Sequence, residues 1–344
     1  MNSQFINGMD ISFLDEIEHC GGQFFDGDQP MDCLDLLSHK GTNSIRLRIW
    51  NEPLGGFCNL ERTLVLAKRI KEKGLHFLLD FHYSDEWADP AHQTKPKAWK
   101  ALGLQELNAA VYKYTEEVLL ALKEQGTLPD MVQIGNEITP GMLWDEGKVD
   151  GDWDRDEQWV IFTTLVKSGI QAARDVHPEV QIMIHIDRGG DATASQYFFD
   201  QFNQYGVEYD IIGLSFYPWW HGTLDDLRLN LEALANKYNK DIIVVEIAYP
   251  WTLEAPKGFP LIVTDEEQLH VGYPANPDGQ AAYLCDIIQL IREVPCGKGK
   301  GFYYWEPCWT PNKDEWSVGH ANNWSNLTLV DYDGRALPAL NYLK

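Results

Sequence analysis

The 344-residue sequence has no run of roughly 18 apolar residues, so no membrane-spanning helix is expected. Its start, MNSQFINGMDIS, has no basic stretch leading into an apolar segment, so the literal reading is a cytoplasmic protein. The mature form of a secreted chain would read the same way. Basic residues are scarce: 28 Lys and Arg stand against 52 Asp and Glu, a formal charge of −24. Nucleic acid and anionic membrane surfaces are therefore disfavoured as partners, and a polymeric substrate should be neutral. The six cysteines (Cys20, Cys33, Cys58, Cys285, Cys296 and Cys308) form no C-x-x-C pair. That removes zinc ribbons and thioredoxin chemistry and favours free thiols over a disulfide framework. No G-x-S-x-G elbow, P-loop, H-E-x-x-H helix or G-x-G-x-x-G turn occurs. Linkers, low-complexity tracts and short repeats are missing too, so residues 1–344 are read as one domain.

What is present is a regular alternation. Short apolar runs rich in Ile, Val and Phe end in polar or aromatic residues, and each is followed by a helical pattern. The expected strands are Phe5–Asp10, Asn43–Trp50, His76–Ser84, Met131–Ile134, Gln181–Asp187, Asp210–Pro218, Asp241–Glu246 and Gly301–Pro307. The intervening helices are expected near Pro30–His39 (Asp28 as cap), Glu61–Lys73, Gln105–Glu124, Glu157–His177, Ser195–Tyr205, Leu224–Tyr238 and Gln280–Glu293, with a terminal helix at Pro338–Leu343. Eight such units indicate a (β/α)8 TIM barrel with enlarged loops at the carboxyl-terminal face. A doubly wound sheet would show a glycine-rich turn after strand one, and FINGMDIS has none.

In a barrel of parallel strands all carboxyl ends converge on one mouth. Glu137 follows the apolar run MVQI through Gly135-Asn136, and Glu246 ends the run DIIVV. A carboxylate straight after a buried strand is costly without partners or work to do. Two of them at one mouth can flank one glycosidic bond. The other strand ends bring Arg46 or Arg48, His82, Asn136, Asp187, Tyr217 and Trp305. Two arginines on one face of a buried strand require carboxylates opposite them. Thirteen Trp, 15 Tyr and 14 Phe add rings, many after strands, that could pack on the apolar faces of sugars. The acidic run Asp150–Asp156 fails the EF-hand spacing, with Arg155 where Gly is required, and is read as capping the next helix. The run Cys296–Gly301 precedes the last strand and so lies at the amino end, away from the mouth.

The segments NSIRLRIW, DFHYSDEWADP, VQIGNE, LSFYP, VVEIAYPWT and YYWEP, in this order, resemble glycoside hydrolase family 53, the endo-β-1,4-galactanases, over essentially the whole chain. The resemblance implies a retaining hydrolase cutting the neutral β-1,4-galactan side chains of pectin, with Glu137 as general acid/base and Glu246 as nucleophile. It implies a 2-hydroxyl contact at Asn136, an ion pair from Arg46 to the nucleophile that holds the Glu246 pKa down, and a sugar subsite shaped by His82, Tyr217 and Trp305. Asp85, Trp87 and Asp187 are further carried over as substrate-binding. No cofactor and no metal is implied: the loop TLEAPKGFPLIVTDEE lacks the alternating aspartates of the calcium loop in bacterial members. A monomer is expected. Another specificity in the clan, such as a mannanase or cellulase, and a non-catalytic sugar-binding barrel are the alternatives.

Overall fold

The computed structural model describes residues 5–311 and 322–343. Residues 1–4, 312–321 and 344 lie outside the described residues. Eight parallel strands close into a barrel: β1 (Ile6–Asp10), β2 (Ser44–Ile49), β3 (His76–Phe81), β4 (Met131–Ile134), β5 (Gln181–Ile186), β6 (Ile211–Phe216), β7 (Asp241–Ile247) and β8 (Gly299–Trp305). Each pairs with its sequence neighbours, and β8 returns to β1. Around them run α1 (Cys33–His39), α2 (Leu60–Glu72), α3 (Leu104–Gln125), α4 (Asp156–Val176), α5 (Ala192–Gln204), α6 (Leu224–Tyr238) and α7 (Pro277–Arg292). Among the described residues no helix is long and apolar enough to cross a membrane.

The barrel floor is plugged by Leu78, Met131, Met183, Ile211, Ile243, Val245 and Tyr303. Polar side chains higher in the barrel therefore stand above a dry, packed base. Gly8 makes room for the plug, because a Cβ there would lie 2.3 Å from the Tyr303 ring.

Two details depart from the sequence reading. The helix expected from Pro30 begins at Cys33, and its cap is Asp32, which accepts from the Asp35 N–H at 3.0 Å. Asp28 instead sits in a two-residue turn with Gly27, joining a hairpin of Phe24–Asp26 and Gln29–Met31. A Gly-Asp turn between extended residues is a hairpin signal, and it outcompetes helix initiation at Pro30. The terminal helix is a 3-10 segment, Pro338–Tyr342. The acidic run ends as expected, with Asp156 and Glu157 in the first turn of α4. All six cysteines are free; Cys33 and Cys308 touch, Sγ to Sγ, at 3.0 Å.

Strand β7 is irregular where it matters. Between Gly213 and Ser215, β6 advances two residues while β7 advances three, from Ile243 to Glu246. Strand β8 shows the same offset, Phe302 to Tyr304 against Val244 to Ile247. The extra residue is a bulge, and it re-aims the chain. Val245 belongs to the floor plug, yet the next residue, Glu246, also reaches into the barrel mouth.

Candidate active site

The mouth holds a cavity of about 350 Å³, lined by Arg46, His82, Trp87, Asn136, Glu137, Tyr217, Glu246 and Trp305 among others. Eight of the ten residues expected in the site therefore meet at one place. Asp187 and Asp85 do not line it. Asp187 is buried beside it, bonded to Thr139 Oγ1 at 2.5 Å and to Arg188 Nη1 at 2.7 Å. Asp85 lies in a neighbouring groove, where it accepts the backbone N–H groups of Glu52 at 3.0 Å and Lys97 at 2.7 Å. It ties two loops together.

Arg46 is the hub. Its Nη1 donates to Asp10 at 2.8 Å and to Glu246 Oε1 at 2.9 Å, and its Nη2 donates to Asp80 and to Asn136 Oδ1, both at 2.8 Å. Its Nε donates to Gln133 Oε1 at 3.2 Å. One planar fork thus organises three carboxylates and two amides inside a buried site, a task suited to guanidinium. Arg48 answers to a separate carboxylate. It pairs with Glu306 at 2.6 Å and lies over the rings of Phe13 and Trp87 at 3.9 and 4.4 Å.

The second oxygen of Glu246 accepts from the Tyr217 hydroxyl at 2.9 Å. Burial pushes the Glu246 carboxyl up to about 7, against the pull of Arg46 and Tyr217. The expectation that Arg46 would hold this group low is corrected here. Arg46 does lower it, but Asp10 and Asp80 share the same cation, and desolvation outweighs the remainder. Among the described residues Glu137 forms no ion pair. Burial, then the charges of Glu246 and Asp187, push it well above the ordinary carboxylate range, opposed by the Ser215 hydroxyl at 2.6 Å. Glu137 also sits in the left-handed backbone region, φ 48°, directly after Gly135 (φ 80°) and Asn136. A Cβ at Gly135 would lie 2.5 Å from Ile138, so the tight exit from β4 requires glycine.

Asn136 gives one amide proton to Ala88 O at 2.8 Å and keeps the other for the cavity. His82 is fully engaged. Its Nδ1 accepts from Trp50 Nε1 and from the Ala88 N–H, each at 3.1 Å, so Nε2 carries the proton and donates to Asp80 at 3.1 Å. It can offer the cavity a ring rather than a proton. Trp305 packs on Trp324 (4.6 Å) and Trp87 (5.6 Å), a run of aromatic surface suited to sugar faces. Sequence reasoning missed Asp10, Asp80, Gln133, His185 and Ser215. Asp10 ends β1, and the others lie two residues before a strand-end residue or within a strand body, on the inward face. Period-two counting back from the strand ends would have found Asp80, His185 and Ser215.

The buried, raised carboxyls carry a stability cost with a definite sign. Their folded pKa values exceed those of the unfolded chain, so their contribution is full at acid pH and is lost as pH rises through about 7. We expect Glu246→Gln to raise the melting temperature more at pH 8 than at pH 5, by on the order of 2 °C. Thermal unfolding at the two pH values checks this; an equal change at both would contradict it.

Among the described residues, no group of three or more His, Cys, Asp or Glu is placed to hold a metal. Asp265, in the loop after β7, caps the 3-10 turn Glu266–Gln268.

The glycosyl hydrolase family 53 profile matches residues 6–343. An Ignisphaera aggregans GH53 catalytic domain superposes with a TM-score of 0.94 at 40% identity, covering 100% of this chain and 96% of that one. An arabinogalactan endo-β-1,4-galactanase of Cellvibrio japonicus is 36% identical over 358 residues, covering 100% of this chain and 91% of the relative. A Niallia circulans protein, described only as uncharacterized in the bgaB 5′ region, is 62% identical over 342 residues, covering 99% of this chain and 93% of its own. With a barrel, a paired-carboxyl mouth and a full-length match in agreement, the chain belongs to glycosyl hydrolase family 53.

Proposed function

We infer that the protein is an endo-acting, retaining β-1,4-galactanase that works on neutral galactan by double displacement. The observation that carries the reading is the unequal treatment of two buried glutamates at one mouth. Glu246 is tied to a cation and a phenol, Glu137 to neither. The proton shared by such a pair therefore resides on Glu137. Glu246, ionised, attacks the anomeric carbon while Glu137 protonates the departing glycosidic oxygen. The glycosyl ester removes the negative charge of Glu246. Glu137 then loses one of the influences that raise it and takes a proton from water as base. Asn136 has an amide proton free for the sugar 2-hydroxyl. His82, Trp87, Tyr217 and Trp305 enclose the attacked ring, while Asp187 and Asp85 act from outside the cavity, one through its charge on Glu137 and one by holding loops.

Galactan is preferred as substrate because the Cellvibrio japonicus relative, aligned over the whole chain, bears that activity in its name. The charge of −24 fits a neutral polymer and disfavours nucleic acid and anionic membrane. One chain supplies every residue of this mechanism, in keeping with a monomer. A cytoplasmic enzyme would meet oligosaccharides; acting on polymer requires a place outside the cell. Digestion of galactan, mannan and cellulose, analysed by product size, tests the specificity. We expect a ladder of galacto-oligosaccharides from galactan alone; release only of monosaccharide, or faster cutting of mannan, would overturn it.

A further inference from the structure

Glu137 has a single hydrogen-bond partner for its carboxyl among the described residues, the Ser215 hydroxyl, which donates to Oε1 at 2.6 Å. Ser215 stands on β6, in register with Glu246 of β7, and is fully buried. Its Oγ is also 2.8 Å from Nε2 of His185, on β5 and equally buried. A serine hydroxyl has one proton and cannot serve both neighbours. Burial and the Arg46 cation keep His185 neutral, so it donates through only one nitrogen. If that nitrogen is Nε2, a donor chain runs to Glu137, with Gln133 giving His185 the proton it does not give Asp80 Oδ1 at 2.6 Å. Gln133 Nε2, 3.1 Å away, donates to His185 Nδ1, His185 Nε2–H donates to Ser215 Oγ, and the Ser215 proton goes to Glu137. If it is Nδ1, that nitrogen donates to Asn136 Oδ1 at 2.9 Å and the Ser215 proton is drawn onto His185. Protonated Glu137 would then spend its own proton on Ser215 Oγ, leaving none for the departing oxygen.

We propose that Ser215, its hydroxyl aimed by His185, is the positioning residue of the acid/base, holding Glu137 Oε1 so that Oε2 is the oxygen that delivers and recovers the proton. The chain moves no proton itself. It fixes the rotation of the carboxyl in the first step and stabilises the carboxylate in the second. The inference rests on Glu137 being the acid/base. Charged groups acting on Glu137 come from several elements: Glu246 on β7, Asp187 after β5 and Asp89 in the loop after β3, all of one sign. Ser215 acts in the opposite direction. His185 in turn feels Arg46, His82 and His221.

The test is the pH dependence of kcat on galactan for Ser215→Ala and Ser215→Thr beside the parent enzyme. Removing the donor disfavours the ionised form of Glu137, so the basic limb of Ser215→Ala should move to higher pH by about one unit. Its kcat should fall roughly 10-fold or more, with KM little changed. Ser215→Thr keeps the hydroxyl and should restore both. A basic limb that stays in place in a folded Ser215→Ala would overturn the proposal and assign the other tautomer to His185. Glu137→Gln separates this from the underlying reading. If that variant keeps full activity on galactan, the acid/base assignment falls; if it is inactive while Ser215→Ala keeps its limb, only the role of Ser215 falls.

Discussion

Glu246→Ala is expected to lose on the order of 10⁴- to 10⁶-fold in kcat on galactan while remaining folded. Of the two glutamates, it removes the one with both oxygens held, one by Arg46 and one by Tyr217. The loss should be repaired by a small external nucleophile. Azide fits the space left by the carboxylate and attacks from the same face, so an activated aryl galactoside should give the α-azide. Glu137→Ala should behave differently. With an activated leaving group its first step needs no proton and should be nearly intact, and azide entering from the opposite face should give the β-azide. Product anomers by NMR check the assignment. The reverse pairing of anomers and variants would exchange the roles of the two glutamates.

The second large effect belongs to Arg46. Arg46→Ala would leave Asp10, Asp80 and Glu246 buried together with no cation, and Asn136 Oδ1 without its strongest donor. Removing one partner from a buried ionic network costs about 3–5 kcal/mol, so this variant should melt far lower or fail to fold. Arg46→Lys is the informative companion. An ammonium keeps the charge but cannot reach both sides of the fork, so some carboxylate loses its partner. Glu246 must be ionised to attack, and weaker compensation raises its pKa. The acidic limb of the pH–rate profile should therefore move to higher pH, with kcat/KM down on the order of 100-fold. An unmoved acidic limb in a folded Arg46→Lys would show that Arg46 is a structural tie without influence on the nucleophile.

These residues were unequally legible in the sequence. The fold was readable because each strand is a short apolar run ended by a polar residue, and the barrel mouth collects those ends. Arg46 and Arg48 announced themselves as charges on a buried face, but their partners did not. Asp10 and Asp80 lie on the two strands that pair directly with β2, and Glu306, after β8, reaches Arg48 only because the barrel closes. Glu246 was found by position, although simple alternation would have pointed it away from Val245. The β7 bulge reconciles the two, and nothing in DIIVVE marks an extra residue. His82 was read as a sugar contact, yet its nitrogens are both spent on protein because Trp50 and Ala88 approach from separate loops. The helix expected from Pro30 starts later because Asp28, read as its cap, is spent with Gly27 in a hairpin turn.

Retention decides whether Glu246 is a nucleophile or merely a neighbour of an attacking water. A covalent route requires the two carboxyls about 5–5.5 Å apart, whereas an intervening water needs roughly 6.5–9.5 Å. Proton NMR during the first minutes of galactan hydrolysis reads the outcome before mutarotation blurs it. The account predicts β-anomeric reducing ends appearing first and α ends growing in later; α ends appearing first would contradict it.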